Sequence, residues 1–388
     1  MKIGLFYRVL ISSLVILQLC HYAVKAQSAP CTTPTQHPGT CVAIERCRNI
    51  YNIVNNPTPP PIGIANYIKR AACTLPNVQR SICCQMAEVV PEPTTVAPPV
   101  KPTSDWTHRN LNLLPRNCGM TVADRLAYGN ATKVFEYPWM AILRYDYNGA
   151  ITDGCGGSVI NKRYVLTAAH CVKTKSTMPL HSVVLGEHTK NQAIDCNIYT
   201  DKSGKEIERD CADPIEEFDI ESFVIHPDYN RPKYSNDIAL VRLNKDVVMK
   251  DHIQPICLPV TSALQKILFE KYIVTGWGTT EEKVGSNMLL QANLPYVNNA
   301  ECQRQMNENR LNIKLNEKQM CAGGINRVDS CKGDSGGPLG FSATYNGARF
   351  MQFGVVSLGV DSCGEKSVPG IYCRVGAYMD WILDNMTA

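Results

Sequence analysis

Gly333-Asp334-Ser335-Gly336-Gly337-Pro338 sets one serine in a glycine-rich turn, where backbone amides can converge because no side chains block them. Such a turn suits an oxyanion hole. Taken alone, a Gly-x-Ser-x-Gly string also fills ordinary loops, so its reading depends on partners elsewhere in the chain. Thr167-Ala168-Ala169-His170-Cys171 supplies a histidine flanked by small residues and a cysteine. Asn236-Asp237-Ile238-Ala239-Leu240-Val241 supplies an aspartate entering an apolar strand, where an unpaired carboxylate is costly. Separately these read equally as a core histidine and a turn aspartate. Together, in the order His, Asp, Ser over about 165 residues, they are hard to obtain by chance.

The segment around these motifs, from Cys118 to Ala388, has the length and turn-punctuated strand runs of an all-β domain. Ser158-Val-Ile and Gly354-Val-Val-Ser-Leu are examples from its two ends. Helical periodicity is clear only at the terminus, where Tyr378, Trp381, Ile382 and Met386 fall at i, i+3, i+4 and i+8. That stripe reads as a terminal helix docked by its apolar face.

TAAHC, DIAL and GDSGGP resemble the three signature motifs of the trypsin-like, chymotrypsin-fold serine proteases, and the resemblance covers essentially all of residues 126–388. It implies two six-stranded antiparallel β-barrels with a C-terminal helix. The site roles come with the resemblance and not from the spacing. Ser335 is expected to attack the scissile carbonyl, His170 to take and return the proton, and Asp237 to hold the imidazole tautomer. The N–H groups of Gly333 and Ser335 are the expected oxyanion donors. No cofactor is required for that chemistry.

Six residues before the nucleophile, Asp329 matches the floor of the S1 pocket in trypsin-like members. A buried carboxylate there requires a cationic partner, which Arg or Lys at P1 supplies. Gly359 and Gly370 match the small wall residues of that pocket, and Ser357 matches the serine that supports the aspartate of the triad. Asp124-Arg125-Leu126-Ala127-Tyr128-Gly129 falls where the family is cut on activation. Cleavage after Arg125 is expected to free a Leu126 amine to pair with Asp334, a switch built on one bond. Leu replaces the usual Ile and Tyr128 the first Gly of the family pattern.

Eighteen cysteines in 388 residues are the outlying feature of the composition. No paired C-x2-C zinc pattern appears, which leaves disulfides and an oxidising compartment. Lys2 and Arg8 precede an apolar stretch from Val9 to Cys20, followed by small residues before Gln27, so residues 1–26 read as a secretory signal. Roughly twelve apolar residues fall short of the about 20 that span a bilayer. The expected product is secreted and extracellular, with no membrane partner. Hydrophobic residues make up 44% and charged residues 19% of the chain, so neither a disordered polymer nor a fibre fits. A net charge of +4 from 39 basic and 35 acidic residues, with no basic run interleaved with aromatics, argues against nucleic acid.

Cys31, Cys41, Cys47, Cys73, Cys83 and Cys84 form a closed group too short to build a large core, which needs staples. Spacing alone leaves fifteen connectivities open. The group resembles a clip domain, followed by a Pro-rich spacer from Pro91 to Pro102 and then the protease segment. The combination resembles the easter and prophenoloxidase-activating branch of the arthropod clip-domain serine proteases. Domains are accordingly placed at 1–26 (signal), 27–84 (clip), 85–125 (linker and activation segment) and 126–388 (protease). The resemblance implies Cys31–Cys83, Cys41–Cys73 and Cys47–Cys84 in the clip domain. In the protease domain it implies Cys155–Cys171, Cys302–Cys321 and Cys331–Cys363, with Cys118–Cys257 as tether and Cys196–Cys211 around an insertion. Cys373 is left over, as a buried thiol or an intermolecular bridge.

The same resemblance implies a zymogen in a proteolytic cascade, activating prophenoloxidase for melanisation or a Spätzle-type cytokine for Toll signalling. An upstream activating protease, a downstream zymogen or pro-cytokine and a serpin inhibitor are its expected partners. The alternative is a catalytically weak homologue acting as cofactor or scaffold, which the altered activation terminus favours and the intact triad disfavours. Asn130-Ala-Thr and Asn385-Met-Thr are glycosylation sequons. Glu187 opens the loop that binds calcium in trypsins and Asp195 follows it, so a structural Ca2+ and a solvated acidic loop are both open.

Overall fold

The computed structural model describes residues 29–54, 60, 62–75, 78, 80–89, 106–120, 131–201, 203–279, 285–324, 333–358 and 368–388. The chain folds as two compact units. The first is a small antiparallel sheet of β1 (Ala29–Thr32), β2 (Pro38–Ala43), β3 (Ala72–Cys73) and β4 (Ser81–Gln85), in the order β1-β2-β4-β3. Helices Arg48–Val54 and Ile62–Arg70 lie between β2 and β3 in the chain. Val42, Ile44, Ile50, Ile53, Tyr67, Leu75 and Ile82 are buried in this unit, a modest core. Three disulfides supplement it: Cys31–Cys83, Cys41–Cys73 and Cys47–Cys84. Successive residues of a strand point to opposite faces, so the vicinal Cys83 and Cys84 of β4 serve one bridge on each side of the sheet. Closing loops of 32 to 52 residues stabilises such a unit by about 4 kcal/mol per bridge in the chain-entropy account.

The second unit holds two closed antiparallel barrels of six strands. The first contains β5 (Met140–Tyr147), β6 (Ala150–Val159), β7 (Tyr164–Thr167), β8 (Leu180–Leu185), β11 (Glu216–Ile225) and β12 (Ala239–Leu243), ordered β11-β12-β7-β6-β5-β8. Between β8 and β11 an inserted hairpin, β9 (Cys196–Thr200) with β10 (Glu206–Cys211), is clamped at its base by Cys196–Cys211. The second barrel contains β13 (Lys271–Gly276), β14 (Leu290–Val297), β15 (Gln319–Ala322), β16 (Pro338–Thr344), β17 (Ala348–Leu358) and β18 (Gly370–Arg374), ordered β13-β14-β15-β18-β17-β16.

The barrels share packing. Phe350 of β17 stacks on Trp139, ring centroids 5.1 Å apart, and Tyr137 meets Phe350 edge-on at 5.6 Å. Ser158 Oγ of β6 donates to Gln352 Oε1 of β17 at 2.6 Å, with both residues buried, so this polar contact between the barrels is paired. The helix Met379–Asp384 closes the chain. It buries Met379, Ile382 and Leu383, flanked by buried Tyr378 and Met386, in the first barrel's core cluster, with Trp381 packed at the edge. The periodic stripe thus does dock by its apolar face.

Among the helices that sequence periodicity does not reveal is Asn299–Glu308. Asn298 caps it, its Oδ1 accepting the Glu301 N–H at 3.0 Å, and Cys302 and Met306 bury one face at i, i+4 spacing.

Candidate active site

Strand pairing brings the histidine and aspartate together. β7 and β12 are antiparallel neighbours with Thr167 opposite Ala239, so the chain leaving β7 meets the chain entering β12. His170 lies on the single turn Ala169–Val172 just beyond β7, and Asp237 lies just before β12. Cys155–Cys171 ties that turn back to β6. His170 Nδ1 is 2.7 Å from Asp237 Oδ2, and the His170 backbone N–H donates to Asp237 Oδ1 at 2.9 Å. Ser357 Oγ donates to Asp237 Oδ2 at 2.7 Å from the end of β17. The Asp237 side chain is 7% exposed against 32% for His170, so the carboxylate is enclosed and the imidazole edge is reachable. A carboxylate bound to Nδ1–H leaves Nε2 as the acceptor, the tautomer a general base requires.

The backbone of Asp237 is held as well. The Cys373 thiol, fully buried in β18, donates to the Asp237 carbonyl at 3.1 Å. Burial, and then the Asp237 charge, push that thiol's pKa well above its ordinary value, so it stays protonated and remains a donor. Asn236, with φ of +56°, donates from Nδ2 to the Asp228 and Arg231 carbonyls and accepts from Tyr378 OH at 3.0 Å. Neither support was legible in the sequence, because both come from residues far along the chain.

Half-buried Ser335 is set in its turn by glycines at positive φ, Gly333 at +105° and Gly336 at +79°. Its carbonyl accepts the Gly156 N–H from β6 at 2.8 Å, and the turn is held on β17 by Gly336 N–H donating to Val356 O at 2.8 Å and Val356 N–H donating to Gly337 O at 3.0 Å. A Cβ on Gly336 would stand 2.2 Å from Thr167 Oγ1 and 2.5 Å from the Gly156 carbonyl. The serine turn therefore rests directly on the end of the strand that carries His170, in contact that glycine alone permits.

Asp334 sets its carboxylate against Gly276-Trp277-Gly278. Its Oδ1 accepts the Gly278 N–H at 2.9 Å, and its oxygens occupy the places where Cβ atoms of Gly276 and Gly278 would lie. The glycine pair around Trp277 was the available signal for this cradle. Gly370 opens β18 opposite Ala322 and is buried. Arg125, Leu126, Asp329, Cys331, Gly359, Cys363 and Asn130 lie outside the described residues. Cys302–Cys321 and the tether Cys118–Cys257 are both present. The Asn385 amide donates to the Trp381 carbonyl at 2.7 Å, and the next residue, Met386, is buried.

Glu187 is 9% exposed and its Oε1 has no hydrogen-bond partner. Burial, and next the charge of Asp195, raise its pKa. Asp195 spends Oδ2 on the N–H groups of His188 and Thr189, at 3.1 and 3.2 Å. A buried, unsatisfied carboxylate beside a second acid is a donor set that suits a hard cation. Among the described residues the one cluster of three metal-binding side-chain types is Cys155, His170 and Cys171, and its two sulfurs are joined to each other. Among the described residues no helix is long and apolar enough to cross a membrane.

Comparison with known proteins agrees with this architecture. Residues 128–382 match the trypsin family model, and residues 31–84 match the regulatory CLIP domain of proteinases. The chain is 37% identical to serine protease grass of Drosophila melanogaster, over 92% of this chain and 91% of that one. It is also 37% identical to melanization protease 1 of the same species, over 92% and 93%. The crystal structure of the Drosophila Grass clip serine protease of the Toll pathway superposes with a TM-score of 0.63 at 35% identity, covering 93% of this chain and 98% of that one.

Proposed function

Because the chain belongs to the trypsin-type serine endopeptidases that carry an amino-terminal CLIP domain, we propose that it is a secreted zymogen whose cleaved form cuts after Arg or Lys in an extracellular immune cascade. The observation that carries the reading is the fully engaged Asp237 carboxylate, bound by the His170 ring, the His170 backbone and Ser357. Such an orienter serves a base, and the turn holding Ser335 leans on the strand that supplies it.

In the proposed reaction His170 Nε2 takes the Ser335 proton as Oγ attacks the scissile carbonyl, and Asp237 stabilises the imidazolium. The N–H groups of Gly333 and Ser335 receive the developing oxyanion, where one donor is worth about 3–4 kcal/mol. His170 then returns the proton to the leaving amine, and water repeats the sequence on the acyl-enzyme. Asp329, walled by Gly359 and Gly370, accepts the P1 cation; an apolar P1 would leave it desolvated and unpaired. Cleavage after Arg125 sends the Leu126 amine to Asp334, and the close-fitting glycines 276 and 278 supply the room that carboxylate needs. Cys118–Cys257 keeps the clip module on the cleaved enzyme. That module positions the enzyme on an upstream protease and a downstream zymogen or pro-cytokine, with a serpin as terminator. The names of the relatives favour melanisation or Toll activation as the setting. Glu187 and Asp195 hold a structural Ca2+, which stabilises the fold and takes no part in the chemistry.

Purified chain cut after Arg125 by a trypsin-like protease is expected to hydrolyse Arg amides, whereas cut Ser335→Ala does not. Incubating the cut enzyme with prophenoloxidase and with pro-Spätzle, and sequencing the products, assigns the cascade. Cut wild type no more active than the Ser335→Ala chain contradicts the reading and favours the scaffold role.

A further inference from the structure

The two segments that deliver His170 and Asp237 to the cleft are both basic. Behind His170, residues 171–180 contain Lys173 and Lys175 and no Asp or Glu. Ahead of Asp237, residues 226–236 contain Arg231 and Lys233 against a single carboxylate, Asp228. His226 in the same stretch is pushed toward its neutral form by burial and then by Lys318, so it adds no fixed charge at neutral pH. Lys173, Lys175, Arg231 and Lys233 are exposed, and among the described residues none has an ion-pair partner. Elsewhere on the same barrel Arg144, Lys162, Arg163, Lys190, Arg242 and Lys250 each sit on a carboxylate. Lys133, Lys205 and Lys245 also lack an acid among the described residues, but they lie off the two segments that carry His170 and Asp237.

Two of the four are also pinned. Lys173 Nζ, on the His170 segment, lies 5.6 Å from the centroid of the Tyr229 ring on the Asp237 segment, so this contact joins the two. Lys233 Nζ lies 4.6 Å over Tyr234. Tyr234 is itself fixed, donating its N–H to Asn230 Oδ1 at 2.7 Å and accepting Gln319 Nε2 at 2.9 Å. Cations held on aromatic faces of an anchored loop lose less side-chain freedom on binding than free arms. Unpaired charge beside a cleft also draws oppositely charged chains in and fixes their register.

We propose that these four cations form a subsite selecting protein substrates with acidic residues close to the scissile arginine. The proposal rests on the reading of the chain as an Arg-cleaving protease. A sulfated polysaccharide offers similar charge. The cations, however, lie on the segments that carry the reacting side chains, where a chain being cleaved must lie and where a resident polyanion would block it.

The test uses the full chain, cut after Arg125, with two peptides carrying one arginine flanked either by Asp and Glu or by Ser and Gln. At low salt the acid-flanked peptide should have a kcat/KM about tenfold higher, expressed in KM, and the preference should shrink as salt rises. Lys173→Glu with Arg231→Glu should abolish the preference while hydrolysis of a small Arg amide stays within about twofold, which also shows that the variant folds. A wild type that cleaves the small amide yet shows no preference, or a preference that survives charge reversal, overturns the subsite. So does inhibition of small-amide cleavage by heparin, lost on charge reversal, without any peptide preference. Failure of the wild type to cleave the small amide overturns the protease reading together with it.

Discussion

Replacing Gly336 by alanine tests how the two barrels jointly build the serine turn. The new Cβ would lie 2.2 Å from Thr167 Oγ1 and 2.5 Å from the Gly156 carbonyl, against the roughly 3.5 Å that carbon contacts need. Gly156 and Thr167 are strand residues bound to each other, Thr167 Oγ1 donating to Gly156 O at 2.8 Å, so neither yields freely. The turn must therefore retreat by about 1 Å, and misplacement on that scale costs about 100-fold in rate. The positive φ of +79° adds about 1–2 kcal/mol of backbone strain. Gly149→Ala is the matched control, because Gly149 also has positive φ but nothing within 4 Å of its Cβ position. Both variants, cut after Arg125, would be assayed on an Arg amide and melted in a calorimeter. The expected result is a small loss of Tm from backbone strain in Gly149→Ala, a larger one in Gly336→Ala where the clash adds about 1–3 kcal/mol, and a kcat/KM lost about 100-fold only in Gly336→Ala. A folded Gly336→Ala enzyme within threefold of wild type would refute the argument that the turn rests on the His170 strand.

Other consequences are more local. Ser357→Ala removes a hydrogen bond to an enclosed carboxylate worth about 1.5–3 kcal/mol, so kcat should fall roughly 10- to 100-fold with little change in KM; a change under twofold would deny Ser357 its hold on Asp237. Cys373 should resist thiol reagents in the native protein at pH 8 and react once per chain after unfolding without reductant; native labelling or a reducible dimer contradicts its burial. Glu187 has a pKa raised above its ordinary 4.5, so it stabilises the fold when protonated and costs stability as pH rises through the folded value. In chelator, Glu187→Gln should therefore raise Tm at pH 7, with the gain fading near pH 4, and Ca2+ should raise the Tm of wild type only. A lower Tm for the variant at pH 7, or an undiminished Ca2+ response, counts against that site.

The motifs were readable because the chemistry demands particular side chains in short local contexts. His170, Asp237 and Ser335 each carry their own flanking sequence, and the pairing of β7 with β12 then places the first two without further information. The disulfides were less legible from spacing alone, since six cysteines allow fifteen pairings. The pairing depends on the folded backbone, which turns Cys83 and Cys84 to opposite sides of one strand and places Cys31 and Cys47 beside them. Asn298 and Glu301 wrote a helix start in plain view, yet the short apolar face of Cys302 and Met306 was too sparse for periodicity to register. The hold of Cys373 and Tyr378 on the Asp237 loop could not be read at all, because the contacts span more than 130 residues of sequence.

The central claim is that cleavage after Arg125 yields a nucleophilic Ser335 served by His170 and Asp237. Its most direct measurement is active-site titration of the cut chain with an arginine ester that acylates rapidly and deacylates slowly, followed by peptide mapping. The account predicts a burst of about one equivalent per chain with the acyl group on Ser335, absent from the uncut chain and from Ser335→Ala. A cut chain that gives no burst, or one acylated elsewhere, would contradict it.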